Sequence, residues 1–114
     1  MIDLGFAYYK IMSDDLSRAT SMIAELGVSD SPPQAVTWDA PKMVWRFSPR
    51  TAAYFLFEDR NSDRTTEVDR AEAERVARTE LGTELPSDDE LRRMCAEGMN
   101  RWDVKNDPDG LFID

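Results

Sequence analysis

The chain has 114 residues, enough for a single domain with its own core, and its 41% hydrophobic content can fill that core without disulfides or metal. Histidine is absent and cysteine occurs once, which excludes an internal disulfide, Ser-His-Asp and Cys-His catalysis and every histidine-based metal site. The net charge of −9 is unevenly placed: residues 1–50 carry −1 and residues 51–114 carry −8, a balance that repels nucleic acid and favours basic partners.

The N-terminus, MIDLGFAYYKIMSDD, lacks the basic start and apolar run of a signal peptide. No apolar run approaches the ~20 residues that span a membrane. These features predict a cytoplasmic protein with no membrane partner. A lone cysteine fits a reducing compartment.

In chain order, residues 2–12 predict a strand, with Leu4, Phe6, Tyr8 and Met12 on one face and Ala7, Tyr9 and Ile11 on the other. Ser13, Asp14 and Asp15 then predict a helix start. Leu16, Ala19, Ile23 and Leu26 follow at helical spacing, and Gly27 closes the segment. The loop SDSPPQ leads to the most aromatic stretch, residues 36–58. This stretch divides into three apolar pieces separated by turns, the pattern of an antiparallel sheet. Val36 and Trp38 share a face of the first strand, and Met43, Trp45 and Phe47 a face of the second. The turn Ser48-Pro49-Arg50-Thr51 precedes a third strand, with Ala53, Phe55 and Phe57 opposed to Ala52, Tyr54 and Leu56.

Residues 58–66 are polar and predict a turn separating a sheet half, 1–58, from an acidic helical half, 59–114. Residues 67–81 have good helix propensity and stop at Gly82. Ser87 and Glu90 are spaced as a capping box. The helix they open carries Leu91, Met94, Cys95, Gly98, Met99 and Trp102 on one face, which predicts burial. The tail has a turn at Pro108-Asp109-Gly110 and an apolar hook at residues 111–113.

The expected fold is α+β: a four-stranded, mainly antiparallel sheet in the order strand, helix, strand, strand, strand, followed by two C-terminal helices. That order is similar to the repeating module of the glyoxalase and dioxygenase superfamily, and DDLSRATSMIAELG resembles its helix. The metal histidines of that family are missing and no second copy follows, so the resemblance implies topology alone.

Few residues carry recognisable chemistry. Cys95 sits on a core face with no base of the usual kind beside it in the sequence. The five glycines are isolated, so no phosphate loop forms. Asp107-Pro108-Asp109-Gly110 fails as a calcium loop, because Lys105 would be the first ligand. No catalytic residue, metal site or cofactor is expected.

Two features remain. One is the acidic set Asp59, Asp63, Glu67, Asp69, Glu72, Glu80, Glu84, Asp88, Asp89 and Glu90, in which Asp69, Glu72 and Glu80 share a helical stripe. Carboxylates spaced along a rigid helix stand in for phosphates before a basic groove. The bland counterpart is a solvated helical face. The other is the aromatic sheet, with Trp38 and Trp45 as candidate contacts for a partner or a second copy, against a simple core role.

The expectation is therefore a non-enzymatic, acidic inhibitor that binds a basic, nucleic-acid-handling protein through Asp69, Glu72, Glu80, Glu84, Asp88 and Asp89. In size, acidity and lack of catalytic residues it is similar to phage and mobile-element inhibitors such as anti-CRISPR proteins, a likeness of class and not of sequence. The alternatives are a protein-protein module, such as an immunity protein or adaptor, using Trp38 and Trp45, with a homodimer as one form, and a small enzyme or ligand-binding domain with a pocket between sheet and helices.

Overall fold

A computed structural model describes residues 3–29, 33–57 and 63–105, with backbone only at 57 and 100–105. The elements are β1 (Asp3–Met12), β2 (Ala19–Val28), β3 (Gln34–Asp39), β4 (Val44–Phe47), α1 (Pro49–Phe57), β5 (Thr65–Val68), α2 (Arg70–Val76) and α3 (Asp88–Lys105). The fold is α+β, with an antiparallel sheet in the order β4-β3-β2-β1-β5. The sheet has five strands, one more than expected. No helix among the described residues is long and apolar enough to cross a membrane.

Three segments differ from their expected form. The first is 13–27, which is a hairpin turn and strand β2, not a helix. Asp15 does not start a helix: its carboxylate accepts from the Ser13 and Ser17 hydroxyls and from the Ser17 N–H, which lowers its pKa to about 2. The chain then reverses and pairs residues 19–28 with β1. Met22, Ala24 and Leu26 pack on one face of the sheet and Ile23 on the other. A strand covered on both faces reads as a nearly continuous apolar run, which a 3.6-residue period also fits. With 13–27 a strand, the topological likeness to the glyoxalase module falls away.

The second is 49–57, a helix and not a strand. Pro49 occupies the first helical position, where its missing N–H costs nothing, and the Ser48 carbonyl accepts the first helical bond from Ala52 N–H at 3.1 Å. Ala52, Phe55 and Leu56 fall at steps of three and four and pack over Ile11, Ile23 and Ala35. The third is β5, which takes residues from the expected polar turn and pairs Tyr8↔Val68 through Ile11↔Thr65.

The C-terminal helices lie close to their expected positions, except that the first begins at Arg70 and not at residue 67, because Glu67 and Val68 belong to β5. Asp69 caps α2 by accepting the Glu72 N–H at 2.8 Å. The helix runs on through a π-helical turn, Ala77–Leu81, and ends at Gly82, whose φ of 71° is the left-handed conformation glycine favours there. Ser87 Oγ accepts the Glu90 N–H at 3.1 Å at the start of α3, while the Glu90 carboxylate turns to Arg93 and leaves the capping box half formed. Leu91 and Cys95 are fully buried, and Gly98 lies against Phe47. The Trp102 side chain, Asp59, the Pro108-Asp109-Gly110 turn and the 111–113 hook lie outside the described residues.

The sheet is thus the middle of three layers. One face, with Phe6, Tyr8, Met22, Ala24, Leu26 and Val36, packs on α2 and α3. The other packs on α1.

A methyl group at Gly98 would fall inside the Phe47 side chain. Alanine ordinarily gains ~1 kcal/mol over glycine in a helix interior. Here the clash wins, and Gly98→Ala should destabilise by about 1–3 kcal/mol in urea unfolding. A gain in stability would mean that α3 does not seat against β4.

Candidate functional site

The acidic side is built by α2, its π-helical turn and α3. Residues 69–99 contain nine acids and five arginines, a net of −4. The arginines are distributed among the acids. Arg75 pairs with Glu72 at 2.6 Å and lies 3.6 Å from Glu80. Arg78 pairs with Glu84 at 3.2 Å. Arg93 pairs with Glu90 and with Glu97. The Arg75 guanidinium holds the Glu72 carboxyl below its usual range, and Arg93 does the same for Glu90.

The expected stripe of Asp69, Glu72 and Glu80 is therefore three different environments. Asp69 is exposed and caps α2. Glu72 is half-buried in its arginine pair. Glu80 turns inward, where its carboxylate accepts the Ala19 N–H at 2.7 Å and anchors the start of β2. Glu84 is exposed. Asp89 is exposed and makes no ion pair among the described residues.

Asp88 belongs to a structural hub centred on Arg70. The guanidinium donates to Asp88 at 2.7 Å, the Tyr8 hydroxyl oxygen at 2.9 Å, the Pro86 carbonyl at 2.8 Å and Glu74 at 3.1 Å. Its carbon also lies 5.5 Å from the Tyr8 ring centre. Tyr8 in turn donates to Asp88, and burial pushes its hydroxyl pKa up. One side chain thus ties β1, α2 and the start of α3. The sequence signal for it was weak, because Arg70 reads as an ordinary surface residue.

The two tryptophans do not form a bare face. Trp38 is 4% exposed and lies opposite Trp45 across β3 and β4, with ring centres 5.3 Å apart. Trp45 is half-buried against the α2–α3 core and donates its Nε1–H to the Glu84 carbonyl at 3.1 Å. Cys95 is buried and its thiol is pushed up to about 11 by desolvation, so little thiolate exists near neutrality. No group of three or more His, Cys, Asp or Glu side chains among the described residues is placed to hold a metal ion.

Two further features lie on the α1 face. Tyr9 of β1 lies beside Glu67 of β5, and Glu25 of β2 is close enough for Glu67 to act on it. Burial, then the Glu67 charge, raises the Glu25 pKa. The second feature is a cavity of about 480 Å³ between α1 and the β3–β4 hairpin. Its lining includes Thr37, Asp39, Lys42, Arg46, Thr51 and Phe55. Asp39 and Arg46 form an ion pair at 2.6 Å with side chains only 11% and 16% exposed. Ser48 Oγ and Thr51 Oγ1 bond to each other at 2.6 Å. The Thr37 hydroxyl, in a residue 5% exposed, has no hydrogen-bond partner among the described residues. A buried hydroxyl left so costs about 1–3 kcal/mol. Treating Ser48-Pro49 as a helix start would have placed Ser48, Thr51 and Phe55 on one helical face above β3.

No family model, curated protein or solved structure matches the chain.

Two predictions follow the geometry. Arg70→Lys keeps the charge but loses the fork that reaches four partners, and should lower stability by about 1–2 kcal/mol in denaturant unfolding. An unchanged midpoint would remove Arg70 from its central place. Glu67→Gln should raise the melting temperature at pH 7 and leave it unchanged at pH 3. The raised folded pKa of Glu25 means that native stability is lost as pH rises through that pKa, and the variant relieves part of that loss. Equal effects at both pH values would contradict the Glu25–Glu67 coupling.

Proposed function

We propose that this chain is a non-enzymatic binding protein whose acidic α2–α3 side docks on the basic surface of a partner, and that the partner is a protein that handles nucleic acid. The observation that carries this reading is the charge left over on that side. Over residues 69–99 five arginines are set against nine acids, so the pairs cannot neutralise it, and Asp69, Glu84 and Asp89 face solvent. Fixed carboxylates on a helical scaffold attract a basic groove and speed encounter.

The mimic surface is redrawn by the pairing pattern. Asp69 and Asp89 are its strongest members, with Glu84 and Glu72, each paired with an arginine, as support. Glu80 and Asp88 serve the fold and contribute charge only as background. The aromatic alternative has less behind it, because Trp38 is buried and Trp45 is tied to the Glu84 carbonyl. A buried, protonated Cys95 favours binding over catalysis. Inhibition of the partner, in the manner of phage or mobile-element anti-defence proteins, is the specific form of this proposal.

The test is capture of partners on the immobilised chain, with elution by duplex DNA. A nucleic-acid-binding protein released by DNA, held less well as salt rises, and lost with Asp69→Lys/Asp89→Lys supports the proposal. Captured proteins indifferent to salt, DNA and these two changes would refute it.

A further inference from the structure

We propose that the cavity between α1 and the β3–β4 hairpin binds a small, uncharged, mainly apolar molecule, an arylalkyl or alkyl compound held by shape and desolvation. The polar side chains of its wall carry the argument, because they are taken up by one another or by the backbone. Both Asp39 carboxylate oxygens are occupied, Oδ2 by the Arg46 guanidinium at 2.6 Å and Oδ1 by the Lys42 N–H at 3.3 Å. Ser48 Oγ donates to Thr51 Oγ1 at 2.6 Å. Ser21 Oγ donates to the Trp38 carbonyl and Thr20 Oγ1 to the Ile11 carbonyl. Lys42 and Arg46 make interactions beyond these, so neither is a spare cation. The Thr37 hydroxyl oxygen has almost no accessible surface and offers a ligand nothing. The surface left facing the cavity is mainly apolar, with Phe55, Pro41 and Ala40 among its residues.

This pairing sets the class of ligand. An ion entering the cavity would give up water and find no free group of opposite charge, the case in which burial is most costly. A neutral apolar molecule gains by leaving water for the same wall. The volume, about 480 Å³, lies within the ~300–1,000 Å³ range of small-molecule sites. A peptide is a poorer occupant, since β4, the edge strand beside the cavity, has four residues with which to hold a backbone. The β3–β4 turn that supplies Ala40, Pro41 and Lys42 to the wall ends in Met43, held at a φ of 57° and 60% exposed. Non-glycine residues are uncommon in that conformation, and such strain gathers at ligand clamps. The site lies on the opposite side of the sheet from α2 and α3, so it stands or falls independently of the acidic docking surface.

The experiment is titration of the full chain with 4-phenyl-1-butanol, 4-phenylbutyrate and 4-phenylbutylamine, three compounds of one shape and different charge, followed by amide NMR spectra. Saturable shifts centred on Ala40, Thr51 and Phe55 are expected, with the alcohol binding about ten-fold tighter than either ion. Ala40 is exposed at the turn, so Ala40→Trp can fill the cavity from its rim and should weaken the alcohol at least about ten-fold. Ligand-to-Phe55 ring contacts in the unmodified protein locate the site whether or not the variant folds. Absence of saturable shifts at these residues, or full affinity in a folded Ala40→Trp variant, overturns the site. Equal or tighter binding of the acid or the amine overturns the assignment to an uncharged ligand.

Discussion

Met22, Ile23 and Ala24 are consecutive in β2 and none of the three reaches solvent. Successive residues of a strand point to opposite faces, so three buried in a row require cover on both sides. That single requirement arranges the rest. Strands β1 and β3 pair along its two edges, α1 closes one face, and α2 with α3 close the other. Burial of the Met22 and Ile23 side chains alone is worth about 1.5–3 kcal/mol each, which is large against a whole-domain stability of roughly 5–15 kcal/mol.

Two polar devices fasten the layers that this strand demands. Arg70 joins β1, α2 and α3 through directional bonds, and Glu80 reaches from the π-helical turn to the first amide of β2. Both are charged residues of an acidic, solvated region, yet both act as part of the frame. The acidic side is thus divided between residues that hold the helices in place and residues that remain available. Charge reversal across it would mix folding with binding unless the two groups are separated.

Much of this was legible from the residues. The strand of β1, the Trp38 and Trp45 strands, the Gly82 stop and the Ser87 start of α3 follow from alternation, periodicity and capping. The exchange of helix and strand at 13–27 and 49–57 was not. In β2 the apolar residues are continuous, and continuity satisfies both periods at once. In α1 the run Ala52-Ala53-Tyr54-Phe55-Leu56 is apolar on nearly every side, and only Ser48-Pro49 distinguishes a helix start from a turn. β5 is short and polar, and its existence depends on a partner strand distant in sequence. The cavity was hidden for the same reason as α1, since its lining comes from a helix and a hairpin that the sequence presents as three similar strands. The acidic residues were visible as a set, but which of them an arginine or a backbone amide would claim depends on tertiary placement.

The sheet ends at β4 and at β5, and each of these is four residues long. A row of unpaired backbone groups so brief offers a neighbouring chain few rungs to continue the ladder. Self-association of this protein by strand addition has little to build upon, and a second copy would have to meet it through side chains. The chain therefore carries an open-edged sheet at small risk of fibre-like stacking, with no exposed aromatic side chain among the described residues and its negative charge keeping copies apart.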